Sequence, residues 1–263
     1  MQLPVYQVDA FTDELFKGNP AAVVPLDHWL SDGQMQAIAL ENNLSETAFL
    51  VREPDGAFQI RWFSPLTEID FCGHATLASA FVLLNQGLAT TPLTFRAVAV
   101  GDINVAQLDN GLLEMAFPNR APEWVENPPV ELFNALGALP QAVLKSRQAW
   151  FAVYEDDDQV RQLTPDLAGF KSLAPLDVVV TAPGREYDFV SRYFWPANGG
   201  DEDPVTGSIH AGLAPYWAAR FGKTQLLALQ ASHRSGVLHC RVESDRVFVA
   251  GHAVLFMQGT FTV

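Results

Sequence analysis

An internal repeat is the feature of this 263-residue chain that most limits its possible folds. The segment Arg61-Trp62-Phe63-Ser64-Pro65 returns 131 residues later as Arg192-Tyr193-Phe194-Trp195-Pro196. Gly73-His74 then aligns with Gly207-Ser208 at an offset of 134. An ordered series of matches at a nearly constant offset indicates a duplicated unit. We therefore predict two halves of equal topology, joined by the proline-rich stretch 118–129.

Hydrophobic patterning predicts the same order of elements in each half, with short strands before and after one buried helix. Residues 75–84 are apolar on nearly all sides, so a helix there must be surrounded by other elements. The second central helix is predicted at about 209–221, with a kink at Pro215. The sequence thus predicts an α+β fold of two small curved sheets, each wrapped around its own helix. In the first half, strands are predicted at 5–10, 21–24, 47–51, 58–63, 94–100, 103–107 and 112–117, and a further helix at 32–42 with Ser31 as its N-cap.

Composition and charge narrow the classes of partner. The 16 basic and 30 acidic side chains give a net charge of −14, which disfavours nucleic acid because phosphate binding needs clustered Lys and Arg. The strongly apolar run 75–84 is about half as long as a membrane span of roughly 20 residues. The N-terminus also lacks the pattern of a signal peptide. We therefore expect a cytoplasmic protein with neither a nucleic-acid nor a membrane partner.

Motifs for several cofactor and metal classes are missing. Cys72 and Cys240 are too few for a disulfide framework and show no zinc-type CxxC spacing. The histidines show no HxxxH spacing, so we predict no metal site. The motifs GxGxxG, GxxxxGK[ST] and GxSxG do not occur, which disfavours nucleotide-binding proteins and serine hydrolases.

Glycines at the predicted starts of both central helices are the main chemical clue. Gly73 opens the first helix and Gly207 the second, at matching positions of the repeat. A helix N-terminus presents unpaired N–H groups, and glycine lets a ligand approach them closely. Two such ends facing each other across a cleft would hold a small carboxylate between the halves. Alternatively, each glycine only lets the chain turn from strand to helix, and both interpretations stay open.

Two carboxylates accompany these motifs. Glu46 directly precedes the apolar strand 47–51, and a carboxylate against apolar surface is suited to proton transfer near neutrality. Asp203 lies four residues before Gly207, where it could act as an acid/base or as a hydrogen-bond partner. The residue patterns equally allow Glu46 as an N-cap partner or a solvated loop residue, and Asp203 as a helix cap.

Six short motifs are spread along most of the chain: Val8-Asp9-Ala10-Phe11-Thr12, Gly18-Asn19-Pro20-Ala21-Ala22-Val23-Val24, Leu44-Ser45-Glu46-Thr47-Ala48-Phe49, Arg61-Trp62-Phe63-Ser64-Pro65, Cys72-Gly73-His74-Ala75-Thr76 and Glu202-Asp203-Pro204-Val205-Thr206-Gly207-Ser208. In content and order they resemble the PhzF family of phenazine-biosynthesis-like proteins. The resemblance implies a fold like that of diaminopimelate epimerase, with two pseudo-symmetric halves, each a curved and mostly antiparallel sheet around a central helix. In that fold the last strand, about 256–263, returns to the first half. The expected division is therefore 1–117 with 256–263, and 118–255.

The resemblance also implies an activity. It implies a cofactor-independent isomerase of a biosynthetic process, a homodimer, that moves a proton within a small carboxylate bound in the cleft between the halves. PhzF itself moves a hydrogen within trans-2,3-dihydro-3-hydroxyanthranilate, from C3 to C1 of the ring. Carried over by motif, the catalytic residues are Glu46 as general acid/base with His74, Asp203 and Ser208 assisting, and the substrate-binding residues are Ser45, Asn19, Gly73 and Gly207.

Cys72 separates this leading hypothesis from a racemase. In the epimerase relatives a cysteine precedes the glycine at each helix start, and the two thiols exchange a proton with the substrate. Here Cys72 fills the first position but Thr206 fills the second, and two-base racemisation needs both groups. We therefore interpret Cys72 as a buried residue beside the site. An amino-acid racemase or epimerase using Cys72, and a non-catalytic binder of a small carboxylate, stay as alternatives.

Overall fold

The computed structural model describes the whole chain from Met1 to Val263, which divides into two compact units. The first unit is Met1–Ala116 with Ala250–Val263, and the second is Phe117–Val249. The sequence-based division had placed the two boundaries at 117 and 255. No helix in the chain has both the length and the apolar character that a membrane span requires.

Strands predominate among the elements of the chain. In chain order the strands are β1 (Gln2–Ala10), β2 (Asn19–Leu26), β3 (Glu46–Arg52), β4 (Phe58–Phe63), β5 (Glu68–Ile69), β6 (Leu93–Ala97), β7 (Gly101–Gln107), β8 (Leu113–Pro118), β9 (Glu123–Trp124), β10 (Ala142–Lys145), β11 (Ala149–Val153), β12 (Asp177–Pro183), β13 (Phe189–Phe194), β14 (Glu202–Asp203), β15 (Gln225–Gln230), β16 (Gly236–Val242), β17 (Arg246–Gly251) and β18 (Ala253–Thr262). The helices are α1 (Asp32–Asn42), α2 (Gly73–Asn85), α3 (Val130–Leu136), α4 (Asp157–Gln162), α5 (Leu167–Phe170) and α6 (His210–Phe221), and a 3₁₀ turn spans Lys171–Leu173.

The first unit is built on a mixed sheet that packs against α2. Its neighbouring strands run β18–β1–β2–β3–β4–β6–β7–β8, with the short β5 also paired to β4. The pairs β2–β3 and β4–β6 are parallel, and all the others are antiparallel. Helix α2 lies against β1, β2 and β3, and ten of its residues are buried. The prediction of a helix surrounded by other elements is therefore confirmed.

Helix α1 covers the other face of the same sheet. It spans the residues predicted for it, and Ser31 is its N-cap within a capping box that includes Gln34. Met35 of α1 is buried in one cluster with Ala22 of β2. Ala21, which points to the opposite face of β2, is also fully buried, and β2 contacts α2. The strands between the two helices therefore lack the polar face of a half-exposed sheet.

The second unit repeats the arrangement of the first. Its neighbouring strands run β9–β10–β11–β12–β13–β15–β16, with the short β14 also paired to β13. The parallel pairs β11–β12 and β13–β15 correspond to β2–β3 and β4–β6. Helix α6 follows β14 as α2 follows β5. These correspondences confirm the predicted α+β class and its pseudo-symmetric halves.

An arginine–carboxylate pair marks the same place in both units. Arg61 donates to the two carboxylate oxygens of Glu68 at 2.7 and 2.6 Å, and Arg192 donates to those of Glu202 at 2.7 and 2.9 Å. Each pair joins a long strand to the two-residue strand that precedes the central helix. Two parallel hydrogen bonds fix the relative orientation of the partners. The shared geometry thus fixes β5, before α2, and β14, before α6, to their neighbouring strands in the same way.

The second central helix spans nearly the predicted residues but does not open at its glycine. Helix α6 runs from His210 to Phe221, against a predicted 209–221, so the interpretation that Gly207 opens the helix is wrong. The N–H groups of His210 and Ala211 donate to the carbonyls of Gly207 and Ser208, both at 3.2 Å. These bonds between residues three apart form tight turns, which occupy the place of the first helical turn.

Pro215 lies inside α6 without ending the helix. Proline has no N–H group, so the carbonyl of Ala211 lacks its helical partner. The backbone N–H of Arg120 donates to that carbonyl at 3.0 Å. A segment from outside the helix therefore supplies the missing bond, which single-helix reasoning could not foresee.

Candidate active site

The first unit brings several of the predicted residues to one edge of its sheet. Asn19 is the first residue of β2 and Glu46 the first residue of β3. Because β2 and β3 are parallel, both residues lie at the same edge. Helix α2 begins at Gly73, so Cys72 and His74 reach this edge from its N-terminus. Residues up to 55 positions apart in the chain thus become neighbours.

Glu46, Cys72 and His74 form a buried cluster, with exposed fractions of 6%, 6% and 5%. Nε2 of His74 lies 3.0 Å from Oε2 of Glu46. The Cys72 thiol lies 3.5 Å from the same oxygen and 3.4 Å from Nδ1 of His74. A buried carboxylate with hydrogen-bond donors beside it can give and take a proton without leaving its charge unsatisfied.

Asn19 and Ser45 determine which nitrogen of His74 carries the proton. Ser45 Oγ donates to Oδ1 of Asn19 at 3.1 Å, so the amide nitrogen of Asn19 faces Nδ1 of His74, also at 3.1 Å. Since an amide nitrogen can only donate, Nδ1 accepts, and we assign the ring proton to Nε2, which donates to Glu46. Ser45, Asn19, His74 and Glu46 therefore form one chain of hydrogen bonds, directed toward the carboxylate.

In the second unit, a buried glutamine holds the loop that contains Asp203. The Asp203 carboxylate accepts a hydrogen bond from the Thr206 hydroxyl. Gln230 accepts from the Thr206 N–H at 2.8 Å and donates to the backbone carbonyl of Asp203 at 2.9 Å. These bonds fix the chain between β14 and Gly207.

Ser208 belongs to a second polar chain of the same unit. Gln148 Nε2 lies 2.9 Å from Ser208 Oγ and 3.0 Å from the Tyr193 hydroxyl, which in turn donates to Asp177. Burial raises the pKa of Tyr193 well above its usual value, and the charge of Asp177 adds to this effect. Burial also raises the pKa of Asp177, although hydrogen bonds from Tyr193 and Asn198 oppose the shift. Gln148 thus couples the orientation of Ser208 to a buried tyrosine that keeps its proton.

The backbone carbonyls of Cys72 and Thr206, which the repeat aligns, accept similar hydrogen bonds. The carbonyl of Cys72 accepts from Thr76 Oγ1 at 2.6 Å, and the carbonyl of Thr206 lies 2.9 Å from Nδ1 of His210. Both donors lie four residues further along the chain. Burial lowers the pKa of His210 to about 4, so the ring is neutral near pH 7, and its Nε2 is buried without a partner.

The cluster in the first unit also offers a set of metal ligands. One donor atom from each of Glu46, Cys72 and His74 lies within 4.8 Å of the others. The sequence had predicted no metal site, because the histidines lack ligand spacing. The donors come from the start of β3 and from both sides of the first residue of α2. No local spacing in the sequence reveals such a set.

The structure divides the predicted site residues between the units. Glu46, His74, Ser45, Asn19 and Gly73 belong to the first unit, and Asp203, Gly207 and Ser208 belong to the second. Sequence reasoning did not anticipate the glutamines that hold the second set. Gln148 lies 60 residues before Ser208, and Gln230 lies 24 residues after Thr206. A single contact between residues so far apart in the chain produces no periodic pattern in the sequence.

Comparison with known proteins places the chain in a family. The sequence profile of PhzC-PhzF, described as phenazine biosynthesis-like protein, matches residues 8–259. A protein of Pseudomonas aeruginosa named as an uncharacterized isomerase is 48% identical over 260 residues, which are 99% of each chain. The crystal structure of a PhzF-family phenazine biosynthesis protein from Enterococcus faecalis is 45% identical, with a TM-score of 0.95 over 100% of both chains.

A more distant structure shows the same fold. A hydroxyproline epimerase from Agrobacterium vitis, solved with bound trans-4-hydroxy-L-proline, has a TM-score of 0.65 at 8% identity. The match covers 98% of this chain and 92% of the epimerase. At this identity the likeness concerns the fold alone, and it agrees with the epimerase-like architecture predicted from the sequence. The family profile and the two similar proteins cover nearly the whole chain, which therefore belongs to the phenazine biosynthesis-like, or PhzF, family of isomerases.

Proposed function

We propose that this chain is a cofactor-independent isomerase that moves a proton within a small carboxylate substrate, with Glu46 as the general acid/base. The observation that carries the proposal is the buried Glu46 carboxylate, 3.0 Å from Nε2 of His74. A carboxylate in this setting takes a proton from one carbon and returns it to another. The His74 N–H stabilises the ionised Glu46 carboxylate before it takes the proton and again after it has returned it, so Glu46 alone serves both steps.

The hydrogen-bond chain from Ser45 supports this division of roles. With Asn19 donating to Nδ1, the His74 ring presents its only proton to Glu46. Substrate carboxylates would bind at the N-terminus of α2, where Gly73 allows close approach to the backbone. The contributions of Asp203, Ser208 and Gly207 stay a prediction, as do the homodimer and the cytoplasmic location.

Solvent exchange tests the role of Glu46. The protein would be incubated in deuterium oxide with a panel of small carboxylates that carry an acidic C–H, trans-2,3-dihydro-3-hydroxyanthranilate among them. Mass spectrometry of the recovered compounds would report deuterium incorporation. We expect Glu46→Gln to slow exchange about 10²- to 10⁴-fold, the usual contribution of a general acid/base. The matched control is Glu41→Gln, which removes an exposed carboxylate of α1 five residues away. An unchanged exchange rate in Glu46→Gln would remove Glu46 from its role.

The same assay separates the two alternatives. A racemase using Cys72 as its base requires that Cys72→Ala abolish exchange, whereas the present proposal expects exchange to persist in that variant. The hydrogen bond from the Thr206 hydroxyl to Asp203 speaks against a second base at the equivalent position. A non-catalytic binder would retain a carboxylate tightly, and none of the ligand's hydrogens would exchange.

A further inference from the structure

The cluster of Glu46, Cys72 and His74 has the dimensions of one face of a zinc coordination sphere. Zinc bonds are about 2.3 Å long to sulfur and about 2.0–2.1 Å long to nitrogen and oxygen. In a tetrahedral site, a sulfur ligand therefore lies about 3.5 Å from a nitrogen or oxygen ligand, and a nitrogen ligand lies about 3.3 Å from an oxygen ligand. Here Sγ lies 3.5 Å from Oε2 and 3.9 Å from Nε2, and Nε2 lies 3.0 Å from Oε2. Each separation needs to change by only about 0.4 Å or less.

We propose that Glu46, Cys72 and His74 form a binding site for Zn²⁺, and that an ion bound there stops proton transfer by Glu46. The binding stands on the geometry alone, whereas the inhibitory effect rests on the proposed function. Three protein ligands leave a fourth position open, as in zinc sites that exchange a water or a small ligand.

Charge balance favours a divalent ion at this buried place. The Cys72 thiolate and the Glu46 carboxylate together carry two negative charges, which a divalent cation neutralises. A neutral cluster suits side chains that are only 5–6% exposed, because uncompensated charge is costly to bury. The thiol gives up its proton when it binds the metal, which supplies one of the two negative charges.

The neighbours of His74 can serve the metal-bound state as well as the metal-free one. Coordination through Nε2 moves the ring proton to Nδ1, which then needs an acceptor. Asn19 provides one when its amide group rotates and presents Oδ1 in place of Nδ2. The Ser45 hydroxyl both donates and accepts, so it keeps its bond to Asn19 in either orientation. The second shell that a metal-binding histidine requires is therefore already present.

The two cysteines of the chain allow a sharp spectroscopic test. Co²⁺, a coloured substitute for Zn²⁺, would be titrated into the full-length protein while near-ultraviolet absorption is recorded. We expect a thiolate-to-cobalt charge-transfer band that saturates at one equivalent and disappears when Zn²⁺ is added. Cys72→Ser should abolish the band. Cys240→Ala is the matched control and should keep it, because Cys240 is a buried residue of β16.

Two further measurements define the ligand set without relying on a single variant. Glu46→Gln should weaken cobalt binding at least about tenfold, as the loss of a ligand oxygen predicts. In the unaltered protein, Zn²⁺ should slow alkylation of Cys72 by iodoacetamide, with the modified peptide identified by mass spectrometry. This second measurement remains decisive even where Cys72→Ser fails to fold.

The outcomes distinguish this inference from the proposed function. The proposed metal site is overturned if no charge-transfer band appears at one equivalent of Co²⁺. It is also overturned if the band is lost in Cys240→Ala and persists in Cys72→Ser. The spectrum requires no substrate, so it stands or falls independently of deuterium exchange. If exchange is observed, one equivalent of Zn²⁺ should stop it in the unaltered protein and in Cys240→Ala. Undiminished exchange at a Zn²⁺ concentration that fully displaces the cobalt band overturns the inhibitory effect.

Discussion

Acid should destabilise this protein through His210, the histidine at the start of α6. Its ring is fully buried, it bonds to the Thr206 carbonyl through Nδ1, and Nε2 has no partner. The ring of Phe189 packs against it. Burial therefore lowers the pKa of His210 from 6.5 to about 4, because a charged imidazole would lose its hydration.

The sign of the effect follows from the direction of this shift. The folded state binds a proton at His210 less tightly than the unfolded state, so protonation favours unfolding. The contribution of His210 to stability is complete above pH 6.5 and is lost as the pH falls toward about 4. Between about pH 7.5 and about pH 4.5, His210 alone should lower the free energy of unfolding by about 2 to 3 kcal/mol.

The repeat supplies a matched control. His210→Thr reproduces Thr76, which makes the equivalent bond to the carbonyl of Cys72 in the first unit. The variant removes the titratable ring, and the cavity it creates lowers stability similarly at both pH values. The two proteins are therefore compared by how much the free energy of unfolding of each changes with pH. This free energy is measured by urea unfolding followed by circular dichroism. Over the same pH interval, we expect the free energy of unfolding of the variant to fall by about 2 to 3 kcal/mol less than that of the unaltered protein.

Two results would refute the reasoning. One is an equal loss of stability with acid in both proteins, which would assign the whole effect to carboxylates. The other is an NMR titration in which the His210 ring changes its protonation near pH 6.5 in the folded state. Either result would mean that burial does not keep this imidazole neutral.

Two matched pairs of substitutions test the structure elsewhere. Gly18 and Gly87 both have positive φ, 68° and 66°, but an added Cβ would collide with the Ala10 carbonyl only at position 18. Urea unfolding should show that Gly87→Ala lowers the free energy of unfolding by about 1 kcal/mol and that Gly18→Ala lowers it by at least about 2 kcal/mol more. Equal losses would contradict the close approach of the Ala10 carbonyl to Gly18. Glu202, with a side chain 22% exposed, and Glu68, at 43%, pair with equivalent arginines. In urea unfolding, Glu202→Gln should lower the free energy of unfolding by about 2 kcal/mol and Glu68→Gln by less than about 1 kcal/mol. The reverse order would show that burial does not determine the strength of these ion pairs.

The order of elements could be predicted from the sequence because it depends on local and repeated signals. The helix 32–42 has a capping residue and apolar spacing, and both are properties of neighbouring residues. The strand predicted at 94–100 ends at Ala97, because the chain turns there toward Gly101, where φ is +78°. The role of Gly207 was misjudged for a different reason. The alignment of Gly207 with Gly73 implied that each glycine opens its helix, although only α2 begins at its glycine.

The sequence identified several residues of the candidate site but not the hydrogen bonds between them. Motif resemblance named Glu46, His74, Asn19 and Ser45, and the structure places them in one hydrogen-bonded chain. The direction of that chain, which decides the tautomer of His74, depends on an amide orientation that has no counterpart in sequence spacing. The same holds for the glutamine that holds Asp203, because its position follows from tertiary packing alone.

The two halves share a backbone and differ in chemistry. The carbonyls of Cys72 and Thr206 accept similar hydrogen bonds, but the two side chains have different partners. In the first unit the thiol lies beside a carboxylate and an imidazole, a set that can hold or move a proton. In the second unit the hydroxyl donates to Asp203 and is not placed as a base. The proposed reaction, in which one carboxylate removes and returns the proton, therefore needs the chemistry of the first unit only.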